Sequence, residues 1–335
     1  MAKVMEKTPG VVLAALIAIP AWLIGEALPI VGSPVLGILF GMLIAFFNRP
    51  AVFEQGVTFT SRKLLQYSVI LLGFGMNLYQ IFRVGSQTLL LMAFTLSAAF
   101  AAAYAFGRLL KVNGKTAALV GVGTAICGGS AIAAAAPVIR ATEEEVAHAI
   151  STIFLFNVIA AFLFPVLGHM LGMSDYSFGL WAGTAVNDTS SVVAAGYTYS
   201  SAAGDLAVIV KLTRTLMIVP VTLALALLTL RGEKAKKEAA AQTGGYSLIK
   251  IFPWFILGFV GASVLHTFVP LPGGTDGMIV QAGKFIIVMA MAAIGLNSNL
   301  AKLVKNGGKP LFLGFACWAV LCATSLVVQF YILKT

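Results

Sequence analysis

Charged side chains are scarce in this sequence: Asp, Glu, Lys and Arg make up 10% of its 335 residues. Soluble domains carry about a quarter of charged residues, and the mean hydropathy here is +0.96. The composition therefore excludes an ordinary soluble globular protein and predicts an all-α integral membrane protein. Because nearly every long stretch is apolar, we expect residues 1–335 to form a single membrane-embedded unit.

Cysteine is rarer still, and its placement excludes two further classes of protein. Cys127, Cys317 and Cys322 lie in apolar runs without a CxxC spacing, so we expect buried free thiols rather than a disulfide framework or a metal centre. The chain also lacks a GxxxxGK[ST] phosphate-binding loop. Ion gradients rather than ATP would therefore drive any uphill transport, and no cofactor is expected.

Stretches of about 20 apolar residues predict membrane-spanning helices. By this measure the sequence predicts eleven spans. They cover residues 11–28, 33–48, 62–79, 84–108, 116–139, 146–171, 177–198, 203–230, 247–268, 277–299 and 310–333. The polar stretch 231–246 is predicted to be a cytoplasmic linker between an eight-span part, 10–230, and a three-span part, 247–333.

The distribution of Lys and Arg predicts the orientation in the membrane. Most of the 22 basic residues fall in alternate loops, beginning with the N-terminal segment, and cytoplasmic loops carry this excess. We therefore expect a cytoplasmic N-terminus and a C-terminus on the outer side of the membrane. The net charge of +10 needs no nucleic-acid partner to explain it.

Three basic residues lie well inside predicted spans: Lys211, Arg214 and Lys284. Ionisable residues inside a membrane are costly and mark functional sites. Lys211 and Arg214 are three residues apart and share a helix face, whereas Lys284 is closer to the surface, where its side chain can reach water. Asp188 is the one acidic residue that we place at similar depth. Two interpretations stay open: the cations pair with Asp188 and lock helices together, or they attract a mobile anion.

Two related polar stretches interrupt the apolar pattern, "GTAICGGSAIAAAA" at 123–136 and "GTAVNDTSSVVAAG" at 183–196. Non-helical backbone at membrane depth is tolerated only where it lines a cavity, and transporters use such breaks to bind ions. We therefore predict two broken helices that supply hydroxyl and N–H donors to an oxyanion. The predicted binding residues are Thr124, Gly128, Gly129, Ser130, Asn187, Thr189, Ser190, Lys211 and Arg214.

A second pair of similar stretches supports an internal duplication. "GFGMNL" at 73–78 and "AIGLNS" at 293–298 each place an asparagine at the end of an apolar run. Pairs of glycine-interrupted segments point to transporter sites. Asn77 and Asn297 are therefore predicted, with Asp188, to balance charge or to bind a coupling Na⁺ or H⁺.

Four ordered motifs resemble a known family: "GTAICGGSAIAAAAPVI", "WAGTAVNDTSSVVAAGY", "VKLTRTLMIVPV" and "AMAAIGLNSNL". They look like the sulfate exporter family of YeiH-like bacterial inner-membrane proteins, and the resemblance extends over nearly the whole chain. It implies an elevator-type fold, distantly similar to bile-acid/sodium and sodium/proton antiporter folds. In such a fold a core of crossing broken helices, here 121–139 and 181–197, moves against a scaffold.

Two functions compete at this point. The first is a secondary transporter that exports sulfate or sulfite by alternating access, with a small inorganic anion, the lipid bilayer and a second copy of the chain as partners. The second is a Na⁺/H⁺ antiporter in which Asp188 binds the cation and Lys211 is its displaceable counter-charge, which the positive core disfavours. Hydrolysis by Ser130 and His148 is weaker still, because His148 lies near a span end, so no enzymatic activity is expected.

Overall fold

The computed structural model describes residues 6–27, 32–47, 49–232, 253–269, 274–298 and 308–333, and within these ranges the chain is helical and has no strand. The α-helices are α1 (Thr8–Ala27), α2 (Ser33–Ile44), α3 (Glu54–Phe59), α4 (Leu65–Leu72), α5 (Leu78–Leu109), α6 (Gly114–Ala125), α7 (Gly129–Val138), α8 (Glu143–Met170), α9 (Asp175–Ala185), α10 (Thr189–Tyr199), α11 (Ser201–Thr215), α12 (Ile218–Gly232), α13 (Trp254–Phe268), α14 (Thr275–Asn297) and α15 (Gly308–Val327). Short 3₁₀ or π segments extend α3, α4 and α15 at Ala51–Phe53, Thr60–Leu64, Gly73–Gly75 and Val328–Leu333.

Six helical stretches are long and apolar enough to cross a membrane. They are Thr8–Ala27, Leu78–Leu109, Glu143–Met170, Ser201–Leu227, Thr275–Asn297 and Gly308–Ile332. The prediction of an all-helical, multi-pass membrane protein is thereby confirmed, while the count of eleven spans stays a prediction. Most of the predicted linker, residues 233–246, lies outside the described residues.

Large apolar side chains remain exposed on the helix surfaces. Leu16, Phe46 and Phe312 are 62%, 82% and 68% exposed. In water such a surface would be unfavourable, because each buried square ångström of apolar area is worth about 25 cal/mol. In a membrane these side chains face lipid tails, so their exposure is the expected arrangement.

The chain divides into two compact units. Unit 1 comprises Met1–Thr88, Ile159–Val210 and Trp254–Leu300, and unit 2 comprises Leu89–Val158, Lys211–Pro253 and Ala301–Thr335. Each unit therefore draws on segments from both sides of the predicted linker.

In unit 1, α14 packs against α1, α2 and α4. The seam between α2 and α14 brings backbone against backbone. A Cβ added at Gly41 would overlap the carbonyl oxygen of Ala292, and one added at Gly295 would overlap that of Ile38. Small residues permit this close approach, which replaces the hydrophobic driving force that helices lack inside lipid.

In unit 2, α6 contacts α7 and α15, and α7 contacts α12. The core combines many alanines with branched residues such as Leu119, Ile126 and Ile132, all of them completely buried. Cys127 and Cys317 are buried in the same cluster, and neither forms a disulfide bond. The prediction of buried cysteines in apolar surroundings is confirmed for these two.

Candidate functional site

The first polar stretch interrupts a helix in unit 2. α6 ends at Ala125, with a last helical bond from the Ile126 amide to the Val122 carbonyl (3.1 Å), and α7 begins at Gly129. Gly128 joins them at φ 68° and ψ −129°, a conformation that is almost confined to glycine. The chemistry of this glycine therefore fixes where the helix breaks.

Two cations from α11 hold the carbonyl end of α6. Lys211 Nζ donates to the carbonyl oxygen of Ile126 (2.9 Å), while Arg214 donates through Nε to Ala125 and through Nη2 to Thr124, both at 2.6 Å. Both side chains are completely buried. The last carbonyls of a helix lack helical partners and carry partial negative charge, so these bonds stabilise the break, each by about 1.5–3 kcal/mol.

The start of α7 carries no side-chain cap. A Cβ added at Gly129 would meet no described atom within 4 Å, and Ser130 is exposed. The first amides of a helix lack carbonyl partners and carry partial positive charge, which makes them a ready site for anions. The first break therefore presents N–H donors and one hydroxyl to open space.

The second polar stretch interrupts a helix in unit 1 in the same register, sixty residues later. α9 ends at Ala185, with a last helical bond from the Val186 amide to the Ala182 carbonyl (3.1 Å). α10 begins at Thr189, and its first helical bond runs from the Val192 amide to the Asp188 carbonyl (3.0 Å). Both predicted helix interruptions therefore occur, each with three residues between the two helices.

Asp188 caps α10 with its own side chain. Its carboxylate accepts hydrogen bonds from the Ser190 amide (3.0 Å) and from the Ser190 hydroxyl. Asp188 and Thr189 are half-buried, and Ser190 is buried. A carboxylate at a helix N-terminus satisfies the free amides and complements the helix dipole.

Each break also contains a buried polar group that has no hydrogen-bond partner among the described residues. In the first break it is the Thr124 hydroxyl, and in the second it is the Asn187 side chain, at both Oδ1 and Nδ2. Thr124 is 0% and Asn187 1% exposed. Buried polar groups in folded proteins are almost always paired, so these groups are positioned to bind water or a ligand.

The predicted site residues are thus divided between the two units. Unit 2 holds one group at the first break, and unit 1 holds the other at the second. The first contains Thr124, Gly128, Gly129, Ser130, Lys211 and Arg214, and the second contains Asn187, Asp188, Thr189 and Ser190.

Asn77 and Asn297 lie elsewhere, at exposed helix ends. Asn77 Oδ1 accepts from the Tyr79 amide (2.8 Å) at the start of α5, and Asn297 Oδ1 accepts from Arg49 Nη2 (3.2 Å). Their role in ion coupling stays a prediction. His148 lies 4.0 Å from Glu144, one turn earlier in α8.

Sequence reasoning missed a second acidic residue within the predicted spans. Asp205 on α11 is half-buried and accepts a hydrogen bond from the Tyr197 hydroxyl (2.5 Å). The signal was present, because Asp205 falls inside the predicted span 203–230 within the apolar run "GDLAVIV". Its aromatic partner lies on a different helix, which the sequence does not reveal.

Comparison with known proteins identifies a matching family profile and several similar membrane proteins. A family profile described as "Conserved hypothetical protein 698" matches residues 9–314. A UPF0324 membrane protein of Streptococcus pyogenes serotype M6 is 49% identical over 334 residues, which cover 97% of each chain. The chain belongs to the UPF0324 family of membrane proteins.

Other UPF0324 members match over a similar length. One from Streptococcus agalactiae serotype V is 47% identical over 333 residues, covering 97% of each chain. One from Fusobacterium nucleatum is 46% identical over 346 residues, covering 97% of this chain and 98% of the relative. No solved structure matches the chain.

Proposed function

We propose that this UPF0324 protein is a secondary transporter of a small inorganic sulfur oxyanion, sulfate or sulfite, and that it exports the anion by alternating access. The observation that carries the proposal is the first break. There, two completely buried cations hold the carbonyl end of one half-helix, while the next half-helix begins uncapped at Gly129 and Ser130.

The electrostatics of the first break favour an anion. The end of α6 contributes roughly half a negative elementary charge and the start of α7 roughly half a positive one. Lys211 and Arg214 donate directly to the carbonyl end and so offset its charge. The start of α7 and the cations behind it then attract negative charge, more strongly than in water because the surroundings are apolar.

Hydrogen-bond donors at the break suit a tetrahedral or pyramidal oxyanion. Sulfate and sulfite accept bonds in several directions, and a dehydrated anion must recover the bonds that it loses to water. The amides of Gly129 and Ser130 and the Ser130 hydroxyl supply donors toward open space. The unpaired Thr124 hydroxyl lies in the last turn of α6, close in sequence to the same break.

Two broken helices in one chain are typical of secondary transporters, whose half-helix termini bind substrate and coupling ions. The motif resemblance to the sulfate exporter family supports the same class and an elevator-type movement. We place the protein in the bacterial plasma membrane as a homodimer, with the N-terminus cytoplasmic and the C-terminus outside, as the distribution of basic residues favours.

The second break favours one competing function. Asp188 is a half-buried carboxylate, and its neighbour Asn187 has an unpaired amide oxygen among the described residues. Carboxylate and amide oxygens are suitable ligands for hard cations. A Na⁺/H⁺ antiporter centred on Asp188 is therefore the alternative, and in the transporter of oxyanions Asp188 would balance charge at the second break or bind a coupling Na⁺.

Counterflow distinguishes the two functions. The full-length protein is reconstituted in vesicles preloaded with unlabelled sulfate or sulfite, and entry of the labelled anion is followed at two pH values with and without sodium. We expect counterflow of at least one anion. Loss of a charged hydrogen-bond donor costs about 1.5–3 kcal/mol, so Arg214→Gln should weaken anion binding by about 10- to 100-fold.

Two further variants provide a control and a second test of the site. Arg108→Gln is the matched control, because Arg108 is an exposed arginine of the same unit that stacks on Tyr104. Ser130→Ala removes one exposed hydroxyl and leaves the folded protein intact. Unchanged affinity in both Arg214→Gln and Ser130→Ala contradicts the site. Silence with both anions, together with sodium-dependent proton movement that Asp188→Asn abolishes, establishes the antiporter instead.

A further inference from the structure

A cavity of about 320 Å³ lies within unit 1, beside the ends of α1 and α10 and the middle of α14. Its walls are unusually polar for this chain. They include Glu26, Tyr197, Thr198, Ser201, Gln281 and Lys284. Such a cavity has room for several water molecules, each of which occupies about 30 Å³ in the liquid.

Lys284 is held at the wall of this cavity. Its Nζ donates to the Ser201 hydroxyl (3.1 Å) and lies 5.3 Å from the centroid of the Tyr197 ring. A cation within about 6 Å of an aromatic face is attracted by the ring electrons. The positive charge that the sequence placed near the surface therefore has a fixed position.

Asp205 lies behind Tyr197. Tyr197 lines the cavity and Asp205 does not, yet the Tyr197 hydroxyl donates to Asp205 Oδ1 at 2.5 Å. That distance is typical of a hydroxyl that donates to an ionised carboxylate. A proton can thus pass between the cavity and Asp205 through a single hydroxyl group.

Thr198 indicates that the cavity holds water. This residue is 4% exposed and lines the cavity, and its hydroxyl has no hydrogen-bond partner in the part of the chain that the structure describes. Buried hydroxyls without a protein partner ordinarily bind ordered water. Water at this wall would bring protons to the Tyr197 side chain.

We propose that Asp205 is the proton-binding site that couples anion movement to the pH gradient, with Tyr197 as its proton relay. In the transfer step the Tyr197 hydroxyl proton moves to Asp205, and the Tyr197 oxygen takes a proton from a hydronium ion in the cavity. One proton is bound, one water molecule is released and Tyr197 ends neutral. The neighbouring charged groups are Lys284, Glu26 across the cavity and Asp175, which accepts from Ser200 (2.7 Å).

The inference rests on the proposed function and explains how export could be driven. With Asp205 ionised, the carboxylates of Asp205, Glu26 and Asp175 outnumber the Lys284 ammonium by two negative charges in this region. Protonation of Asp205 lowers that excess, and a proton that enters the cell on Asp205 while the anion leaves would let the inward proton gradient drive export. Protonation of Asp205 is therefore required for net flux of the anion, whereas exchange of one anion for another needs no proton.

The experiment compares two fluxes in vesicles that contain the full-length protein. The first is counterflow of labelled sulfate or sulfite without a pH gradient, and the second is net flux of the same anion driven by a pH gradient. Asp205→Asn should lose gradient-driven flux by about tenfold or more, a loss that corresponds to one charged hydrogen-bonding group, while counterflow falls less than about twofold. Tyr197→Phe should slow the gradient-driven flux in the same way.

Asp175→Asn and Tyr199→Phe are matched controls from the same region, because Asp175 is exposed and Tyr199 donates to the Met173 carbonyl. Both should leave the two fluxes unchanged. If Asp205→Asn keeps its gradient-driven flux, or loses counterflow equally, Asp205 is not the coupling site. If Asp205→Asn does not fold, Tyr197→Phe decides by the same criterion. Absence of counterflow in the wild type instead overturns the proposed function, and this inference with it.

Discussion

The chain breaks a helix twice in the same register, and the two breaks are stabilised by groups of opposite charge. In the first break, Lys211 and Arg214 reach from another helix to the free carbonyls of α6. In the second, Asp188 reaches from the break itself to the free amides of α10. One break is therefore stabilised at its carbonyl end and the other at its amide end.

This difference decides what each break can bind. The amide end of the first break is left without a side-chain cap, and in the proposed function this end accepts the anion. The amide end of the second break already holds a carboxylate, so it repels an anion and suits a cation. Two breaks of the same length thus differ in the charge that their amide ends would attract.

The largest expected effect comes from giving the first break a carboxylate at its amide end, as the second break has. Gly129→Asp places a carboxylate in open space at the start of α7, where negative charge stabilises a helix by about 0.3–1 kcal/mol. We expect an unchanged or higher melting temperature. Sulfate or sulfite binding, measured by calorimetry in detergent, should fall about a hundredfold, because the carboxylate occupies the anion site and repels the ligand. Gly129→Asn is the neutral control, and equal loss in both variants would show that size rather than charge blocks the site.

Gly128→Ala should have the next largest effect, on stability rather than binding. At φ 68° and ψ −129° a side chain is strained by about 1–3 kcal/mol. A lower melting temperature in fluorescence-detected unfolding is expected. The neighbouring Gly129→Ala adds the same methyl group where no atom lies within 4 Å and should melt like the wild type. Equal melting of all three proteins would mean that the break does not depend on Gly128.

Removing the cap of the second break should have a smaller effect. Asp188→Ala costs about 1 kcal/mol, while Asp188→Asn keeps a good cap and costs less. Melting temperatures of the two variants test this order. In the oxyanion transporter, anion counterflow at the first break survives in Asp188→Asn. Complete loss of counterflow in that variant would contradict the assignment of anion binding to the first break alone.

The smallest expected effect is a difference between Thr124 and Thr184, which occupy equivalent positions in the two breaks. The Thr184 hydroxyl donates to the Leu180 carbonyl (2.6 Å), whereas the Thr124 hydroxyl has no partner within the described ranges. Thr184→Val should therefore cost about 0.5–1.5 kcal/mol of stability, and Thr124→Val nothing. Thr124→Val should instead weaken oxyanion binding. A Thr124→Val protein that melts lower and binds as tightly as the wild type would contradict the difference between the two breaks.

Sequence reasoning located both breaks, because membrane spans tolerate runs such as Asn187–Ser190 only where the helix is interrupted. It also identified Lys211 and Arg214 as buried cations from their position in an apolar run. The groups that these cations bind could not be predicted from the sequence. Three of their hydrogen-bond partners are backbone carbonyls 85 to 90 residues earlier in the chain. Every residue has a carbonyl, so no residue type marks these three.

The residues considered for ion coupling show a second reason why the sequence predicts the site only in part. Asn77 and Asn297 matched each other in local pattern, yet each lies at an exposed helix end with a local or surface partner. Asp205 belongs to neither pair of similar motifs, but it is half-buried and accepts a hydrogen bond from the Tyr197 hydroxyl. The two motifs differ even in local backbone, because Asn77 precedes α5 whereas Asn297 ends α14. Burial is set by which helices pack together, and that depends on the whole chain.

The seam between α2 and α14 has a consequence for inherited variation. Every missense change of a glycine codon adds at least a Cβ, and at Gly41 or Gly295 that atom overlaps a backbone carbonyl of the facing helix. Backbone cannot move aside as a side chain can. Neither codon therefore has a harmless substitution available, and in a library of random variants both positions should remain glycine among all functional survivors, whatever the transported ion.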